Sequence, residues 1–278
     1  MYSTEQKSWA AFFQSLHQQP QLFLLPNVWN VGSAYVFAKQ GFQAVATSSA
    51  GIAYDLGYPD CEDITFADLL EMVGKITRRI DVPLSVDFER GYGETFDSVK
   101  ENARQLLQAG AVGFNLEDGE AGGGLSSLAL QQEKLAALVE LKRETGVDFV
   151  INARTCAYWL NVGEEAERAD IAIERGNAFR QFGADCVFVP GVIPLETVAL
   201  LTQKINAPIN IILNKQFGSP AQLEQLGVRR LSVGSAPVRH IYAEIIQTAN
   251  ALKQGEFEAL LNTPFSYAEA NAYFGQKA

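Results

Sequence analysis

Short apolar runs alternate with amphipathic stretches along almost the whole chain. Several runs are apolar at nearly every position, which is typical of strands buried on both faces of a parallel sheet. Between these runs, apolar residues recur at the spacing of a helix with one buried face. The predicted strands span residues 21–25, 43–47, 84–86, 112–116, 149–152, 186–189, 209–213 and 230–233. The predicted helices span residues 32–39, 66–80, 95–108, 129–144, 164–182, 195–204, 221–226 and 238–254.

Eight strand–helix units without a glycine-rich dinucleotide-binding loop favour a closed barrel over an open sheet. We therefore predict an α/β fold, a (β/α)8 TIM barrel formed by residues 1–278 as a single domain. A further helix is predicted before the first strand, at residues 4–17. After the last barrel helix, residues 255–278 should form a helical tail, with short helices at 257–261 and 266–274. Because this tail is rich in apolar side chains, we expect it to pack on the barrel or on a neighbouring subunit.

The charge balance argues against two classes of partner. Lys and Arg number 22 against 32 Asp and Glu, which gives a net charge of −10 and no basic stripe. Nucleic acids and membranes are therefore not expected as partners. No run approaches the roughly 20 apolar residues of a membrane-spanning helix, and the N-terminus lacks a signal pattern. Cys61, Cys156 and Cys186 have no paired spacing, so we expect buried free thiols and a cytoplasmic protein.

Charged side chains stand at the ends of three consecutive predicted strands. Asp87 and Glu89 follow one strand, Glu117 ends the next, and Arg154 follows the third. In a parallel barrel these strand ends meet at one rim, and oxygen ligands of this kind suit Mg²⁺. The absence of paired histidines disfavours zinc. In the alternative interpretation, the carboxylates form surface salt bridges with Arg90 and Arg154.

Small and hydroxyl-bearing residues follow the second predicted strand, at positions 47–51. A loop of such residues lets backbone N–H groups approach an anion, and its hydroxyls add donors. Asp60 lies a little further along the chain. Its carboxylate could join the outer shell of the metal, or it could cap a helix that starts near Asp63. Both roles for Asp60 stay open.

These motifs together resemble the isocitrate lyase/phosphoenolpyruvate mutase superfamily. The matching segments are Leu25-Pro26-Asn27-Val28-Trp29-Asn30, Thr47-Ser48-Ser49-Ala50-Gly51, Leu56-Gly57-Tyr58-Pro59-Asp60, Val86-Asp87-Phe88-Glu89-Arg90-Gly91-Tyr92-Gly93, Asn115-Leu116-Glu117-Asp118 and Asn152-Ala153-Arg154-Thr155. They occur in the family's order and cover nearly the whole barrel. The resemblance also implies a homodimer or homotetramer, in which the last helix is exchanged between subunits.

The resemblance implies a role for each matching residue. Asp87 would bind Mg²⁺ (or Mn²⁺) directly, whereas Glu89, Glu117 and Asp60 would act largely through bound water. Substrate-binding residues would be Trp29, Ser48, Ser49, Ala50, Asp87, Arg154 and Asn214. Catalytic residues would be Arg154, Glu117 and Tyr92. Lys215, next to Asn214, is either a second anion-binding residue or a solvated surface lysine.

The chain also departs from the family pattern. The loop after the fourth strand, Gly119-Glu120-Ala121-Gly122-Gly123-Gly124-Leu125-Ser126-Ser127, lacks the Cys of isocitrate and methylisocitrate lyases and the Lys and Asn of phosphonomutases. Glu89 replaces the commoner aspartate. Without the loop cysteine, the candidate proton donors are Tyr92, Tyr54, Glu117 through water, and a metal-bound water.

The function implied is a Mg²⁺-dependent lyase that breaks a C–C bond in a small 2-oxo or 2-hydroxy carboxylate, such as an oxaloacetate-like or methylisocitrate-like acid. The reaction would pass through an enolate, whose developing charge the metal stabilises. One alternative is a phosphoenolpyruvate phosphonomutase or phosphonopyruvate hydrolase, which acts on a C–P bond of a phosphonate. An alternative of another class is a non-catalytic barrel that binds a carboxylate.

Overall fold

A computed structural model describes residues 2–217 and 219–278; Met1 and Gly218, which fall inside the predicted domain, lie outside the described residues. The strands are β1 Phe23–Leu25, β2 Asn27–Val28, β3 Val45–Thr47, β4 Leu84–Asp87, β5 Gly113–Glu117, β6 Val150–Arg154, β7 Cys186–Val189, β8 Ile209–Ile212 and β9 Arg230–Ser232. The helices are α1 Thr4–Gln18, α2 Val31–Lys39, α3 Ser49–Asp55, α4 Phe66–Thr77, α5 Phe96–Gln108, α6 Leu128–Thr145, α7 Arg168–Gln181, α8 Leu195–Lys204, α9 Pro220–Gln225, α10 Ala236–Gln254, α11 Glu258–Leu261 and α12 Tyr267–Phe274.

The strands form one parallel sheet in the order β1-β9-β8-β7-β6-β5-β4-β3-β2. β1 and β2 are two parts of one extended segment, divided at Pro26, which has no N–H for a ladder. β1 pairs with β9 and β2 pairs with β3, so this segment closes the sheet into a barrel. The predicted TIM barrel is confirmed, although the first strand continues beyond the predicted residues 21–25.

Most helix boundaries follow from local sequence signals. Capping boxes start four helices, at Asn30, Thr65, Thr95 and Ser266. After α6, Gly146 ends the helix with a φ of +64°, the left-handed conformation that favours glycine. The predicted helices are present with shifted ends, and α3 was not predicted at all.

The barrel core is apolar between the sheet and the helices but polar inside the sheet. Phe114 and Phe149 pack edge to face, with their ring centroids 5.1 Å apart. Inside the barrel, by contrast, several polar side chains are fully or almost fully buried: Ser85, Asn115, Asn152, Asn210, Arg230 and Ser232. A polar interior of this kind needs partners for its hydrogen-bonding groups.

The C-terminal tail returns to the body of the barrel. The Tyr35 hydroxyl donates to the carbonyl of Tyr273 at 2.6 Å, and Arg79 donates to the carbonyl of Phe274 at 3.0 Å. Lys277 pairs with Asp81. These contacts hold α12 against α2 and the end of α4.

The helix α10 leaves most of its apolar side chains exposed. Val238 is its one buried side chain, whereas Ile241, Ile245 and Ile246 are 45%, 52% and 62% exposed. The tail that follows exposes further apolar residues, among them Leu261. In residues 2–217 and 219–278, no helix is long and apolar enough to cross a bilayer.

Candidate functional site

A cavity of about 720 Å³ opens at the carboxyl ends of the barrel strands. Seven of the predicted site residues line it, and they come from elements far apart in sequence: Ser48, Ser49, Ala50, Asp60, Asp87, Arg154 and Asn214. The fold therefore brings most of the predicted substrate-binding set to one place.

Asp87 ends β4 and is nearly buried at 9% exposure. One carboxylate oxygen, Oδ2, accepts from the backbone N–H of Ser49 at 3.2 Å and from its hydroxyl at 2.9 Å. The other, Oδ1, accepts from the Asn115 amide at 3.4 Å. The backbone N–H of Asp87 donates to Thr47 Oγ1 at 2.8 Å. The bonds from Ser49 and Asn115 fix the orientation of the Asp87 carboxylate.

Glu89 lies beyond the end of β4, with a φ of +48°. Because β4 ends at Asp87, Glu89 is not part of a regular strand. The Glu89 carboxylate accepts from the backbone N–H of Glu62 at 3.0 Å and from the Tyr92 hydroxyl. Burial raises the pKa of Glu89 from 4.5 to about 8, and the neighbouring carboxylates Asp87 and Asp60 act in the same direction.

Tyr92 is connected to the carboxylates of the site through its hydrogen bond to Glu89. Burial and the Glu89 carboxylate raise the pKa of the Tyr92 phenol, so its hydroxyl keeps its proton and donates it in the hydrogen bond. The Tyr92 ring packs against Phe66 and Phe88. This packing holds the hydroxyl in place beside Glu89.

Glu117 and Arg154 pair across the neighbouring strands β5 and β6, which place them side by side. Arg154 Nη1 lies 2.8 Å from Glu117 Oε2, and both side chains are largely buried. Burial lowers the pKa of Arg154, but the Glu117 and Asp87 carboxylates and Cys156 together outweigh burial, so the pKa is raised. Trp159 and Phe188 flank the guanidinium, with ring centroids 5.5 and 5.8 Å from Cζ. The expected ion pair thus exists, but it is buried in the site instead of lying on the surface.

Arg90 takes part in a separate pair. Its guanidinium lies 2.9 Å from the Glu62 carboxylate and pairs with neither Asp87 nor Glu117. The surface-salt-bridge alternative therefore holds for neither Glu117 nor Asp87: Glu117 pairs in the interior with Arg154, and Asp87 has hydroxyl and amide donors.

Asp60 lines the cavity and does not cap a helix. The helix α4 starts at Phe66 and Thr65 is its N-cap, so the capping role weighed for Asp60 is wrong. Burial and the nearby Asp87 carboxylate raise the pKa of Asp60. Its Oδ1 is buried and has no hydrogen-bond partner in the described chain. An unpartnered carboxylate oxygen at this position fits a bound cation or its water.

The oxygen-rich donor set is compatible with Mg²⁺. Burial raises the pKa of Asp60, Glu89 and Glu117, and repulsion from neighbouring carboxylates adds to this effect; a cation would relieve the repulsion. Within residues 2–217 and 219–278, no three acidic, His or Cys side chains are arranged as a ready-made metal cage. This arrangement fits an ion held by one or two carboxylates and water, as Mg²⁺ commonly is.

The segment at 47–51 is not a loop, because Thr47 ends β3 and residues 49–51 already belong to α3. Ser48 caps α3 by accepting from Gly51, and Ser49 starts the helix. A Cβ on residue 51 would lie 2.8 Å from the Cβ of Trp29, so glycine is required where α3 meets this segment. Trp29 is half-buried at this contact, and its predicted contact with substrate stays a prediction.

Asn214 and Lys215 differ in their surroundings. The Asn214 amide donates to the carbonyl of Gly191 at 3.1 Å, which joins two loops at the rim of the cavity. Lys215 is exposed to solvent, which agrees with the solvated-lysine alternative. Cys61 is also exposed, so the expectation that all three free thiols are buried is wrong for this residue.

Several cavity residues were not predicted from the sequence. They come from the segment after β6, from the segment after β7 and from the helices α7 and α10: Tyr158, Trp159, Arg168, Val192 and Arg239. No cluster of polar residues at the end of a predicted strand marks these positions, so no sequence pattern indicates them. They are identified only because the folded chain places their segments above the barrel rim.

A closed parallel barrel with an acidic group and a buried arginine at its carboxyl rim defines a small-molecule enzyme of the TIM-barrel class. The family model described as phosphoenolpyruvate phosphomutase matches residues 13–253, and the chain belongs to this family. The recognition of the isocitrate lyase/phosphoenolpyruvate mutase superfamily is confirmed, and the chain is an enzyme of that superfamily.

Relatives of known sequence and structure agree with this assignment. An uncharacterised protein of Mycobacterium tuberculosis is 32% identical over 94% of this chain and 95% of its own length. The 2-methylisocitrate lyase of Aeropyrum pernix is 30% identical over 70% of this chain and 63% of its own length. A crystal structure from Burkholderia cenocepacia, provisionally assigned as a lyase/mutase, is 30% identical, covers 98% of both chains and has a TM-score of 0.90.

Proposed function

We propose that this enzyme is a Mg²⁺-dependent lyase that cleaves a C–C bond in a small 2-oxo or 2-hydroxy carboxylate. The observation that carries the proposal is the position of Arg154, buried in the cavity that Asp87 and Asp60 also line. A cation held by the carboxylates and a guanidinium can bind the carboxylate and the keto or hydroxyl oxygen of such a substrate. The likeness to a 2-methylisocitrate lyase supports C–C cleavage.

Asp87 would hold the metal directly, with Asp60, Glu89 and Glu117 acting through bound water; Mn²⁺ would suit the same oxygen donors. When bound, the ion supplies positive charge next to the oxygen on which enolate charge develops.

The chain's own side chains would orient the substrate and manage charge. Arg154 binds a substrate carboxylate with the guanidinium nitrogens that Glu117 leaves free. Its Nε is buried and has no partner in the described part of the chain, so it is available as a donor. Ser48, Ser49 and Ala50, at the start of α3, line the same cavity. Substrate held by Arg154 and by these residues is oriented before the bond breaks.

Proton transfer would use the Tyr92–Glu89 pair. The Tyr92 hydroxyl keeps its proton beside Glu89, and the raised pKa of Glu89 lets it carry a proton near neutral pH. Glu117 would orient Arg154 and act on water. Tyr54, which lines the cavity, is the competing donor. Comparing Tyr92→Phe with Tyr54→Phe in the same assay identifies which hydroxyl is needed.

A C–P reaction is the second candidate, and the name of the matching family favours it. The two reactions share the site, because both leave an enolate next to a carboxylate. They differ in the products: pyruvate without phosphate indicates C–C cleavage, whereas phosphate release or rearrangement of a phosphonate indicates C–P chemistry.

We further propose a homodimer or homotetramer joined through α10 and the tail, because their apolar side chains are exposed in the single chain. A cytoplasmic location would agree with the free thiols.

The test is a ¹H and ³¹P NMR screen of the purified enzyme with Mg²⁺. The panel holds oxaloacetate, 2-methylisocitrate, isocitrate, phosphonopyruvate and phosphoenolpyruvate, each repeated with EDTA and with the Asp87→Ala variant. Turnover of a carbon acid that both EDTA and Asp87→Ala abolish supports the proposal. Turnover of phosphonates alone would replace it with C–P chemistry, and turnover that survives EDTA would refute the metal requirement.

A further inference from the structure

Arg230 lies inside the barrel, at the start of β9, and is completely buried. It takes part in no ion pair within residues 2–217 and 219–278. Burial lowers the pKa of the guanidinium to about 10, so it stays charged at neutral pH. Asp87 is the carboxylate whose charge favours this cation. A buried charge without a direct partner is costly and calls for a compensating role.

A hydrogen-bond chain connects Arg230 to Asp87. Arg230 Nη2 donates to the side-chain carbonyl of Asn115 at 3.4 Å, and Asn152 donates to the same oxygen at 2.6 Å. The amide nitrogen of Asn115 then donates to Asp87 Oδ1 at 3.4 Å. All four side chains are buried.

The two donors decide which way the Asn115 amide points. With the amide reversed, its NH₂ would face the donors of Arg230 and Asn152, and its oxygen would face the Asp87 carboxylate. Both contacts would be repulsive. Arg230 and Asn152 therefore keep the Asn115 NH₂ directed at Asp87 Oδ1, while Ser49 holds Oδ2 from the other side.

We infer that Arg230 is a positioning residue that fixes the orientation of Asp87 through Asn115. The inference rests on the proposed function, in which Asp87 is the direct metal ligand. Removing a group that orients a metal ligand through hydrogen bonds commonly weakens metal binding 10–100-fold. If the guanidinium served only the packing of the barrel, its replacement would change stability and leave metal affinity unchanged.

The test measures Mn²⁺ binding directly, from the electron paramagnetic resonance signal of free Mn²⁺, together with thermal unfolding. The variants are Arg230→Met, Asn115→Leu, the double variant and Asp87→Ala. We expect Arg230→Met to weaken Mn²⁺ binding roughly 10-fold or more. Because Arg230 acts through Asn115, the double variant should bind no more weakly than Asn115→Leu alone.

Asn210→Ala is the matched control, since Asn210 is buried in the same interior but bonds Ser232 instead of the chain to Asp87. It should keep wild-type Mn²⁺ affinity even where it lowers the unfolding temperature. If Arg230→Met does not fold, Arg230→Gln replaces it, because its amide ends two bonds short of the position of Nη2. The same weakening is expected for Arg230→Gln.

Wild-type affinity in the Arg230 variant, or additive losses in the double variant, would overturn the inference. If Asp87→Ala abolishes binding in the same experiment, the proposed metal site survives that result. If Asp87→Ala instead binds Mn²⁺ like the wild type, the proposed site fails and the inference fails with it.

Discussion

At the residue scale, the acidic side chains of the site differ in their surroundings. Asp87 accepts three hydrogen bonds from Ser49 and Asn115, which fix the orientation of its carboxylate. Glu89 accepts one hydrogen bond from Glu62 and one from Tyr92, but it is buried close to other carboxylates, and its pKa is raised to about 8. The two neighbouring acids are therefore suited to different roles, one as a ligand and one as a proton carrier.

The raised pKa of Glu89 predicts a pH dependence of stability in the metal-free enzyme. The folded state holds a proton on Glu89 up to about pH 8, whereas the unfolded state releases it near 4.5. This contribution to stability is therefore fully present below pH 4.5 and lost as the pH rises towards 8. The groups around Glu89 are Tyr92, Glu62, Asp87, Asp60 and Glu117. We expect a loss on the order of 2–4 kcal/mol across this range.

Urea unfolding in EDTA at pH 5, 6, 7 and 8 checks this prediction. Glu89→Gln has nearly the same shape and no charge, so the wild type should lose more stability than the variant as the pH rises. Parallel curves for the two proteins would show that Glu89 is ionised throughout.

At the element scale, the sequence predicts the helices and strands better than the segments that connect them. Strand ends could be predicted because buried apolar runs stop at charged residues such as Asp87 and Arg154. The helix α3 could not, since Ser49 and Gly51 are weak helix formers and the helix is short. Arg230 follows another arginine in the sequence and reads as a surface residue. Only the closed barrel reveals that its side chain points inward.

One buried ion pair holds the segments that follow β5 and β6 against α7. Asp118 accepts from the backbone N–H of Cys156 at 2.7 Å and from Arg175 at 3.0 Å, and Arg175 also donates to the Ser126 carbonyl. The Asp118 side chain is completely buried. Removing the cation leaves an unpaired buried carboxylate, so Arg175→Met should destabilise the protein by roughly 3–5 kcal/mol.

Denaturant unfolding measures this loss, with the exposed pair Lys75–Glu71 as its control. Lys75→Met should cost less than about 1 kcal/mol. Adding Asp118→Asn to Arg175→Met should restore part of the stability, because the buried charge is then gone. A loss for Arg175→Met no larger than that for Lys75→Met would contradict the account.

The turn after β4 needs a glycine for two reasons. Gly91 has a φ of +101°, and a Cβ at this position would lie 2.7 Å from both methyl carbons of Val99. Gly57 has a similar φ of +85° but open space around it. Gly57→Ala should therefore lower the free energy of unfolding only through backbone strain, by about 1 kcal/mol. Gly91→Ala should lose roughly 1–3 kcal/mol more through steric overlap. Equal losses in thermal or urea unfolding would rule out the packing contribution.

At the scale of the whole molecule, the chain has an apolar surface that its own fold does not cover. Ile241, Ile245 and Leu252 lie along one side of α10 at helical spacing, and each is about half exposed. Phe257 and Leu261 extend this surface into the tail. The end of the tail, in contrast, is fixed to its own barrel by the hydrogen bonds of Tyr35 and Arg79. The uncovered part is therefore α10 and the segment directly after it.

An apolar surface that the chain's own fold leaves uncovered is typical of a subunit contact. In a symmetric dimer, α10 of each subunit would lie in this contact. Light scattering after size-exclusion chromatography should therefore give the mass of two or four chains. Replacing both Ile245 and Ile246 by Glu should shift the protein to the mass of one chain, because two charges would be buried without partners. Phe182→Glu, which adds a charge at an exposed apolar residue beyond α7, should keep the assembled mass. A wild-type protein that stays monomeric at micromolar concentration would show that α10 faces solvent, and its apolar side chains would then need another partner.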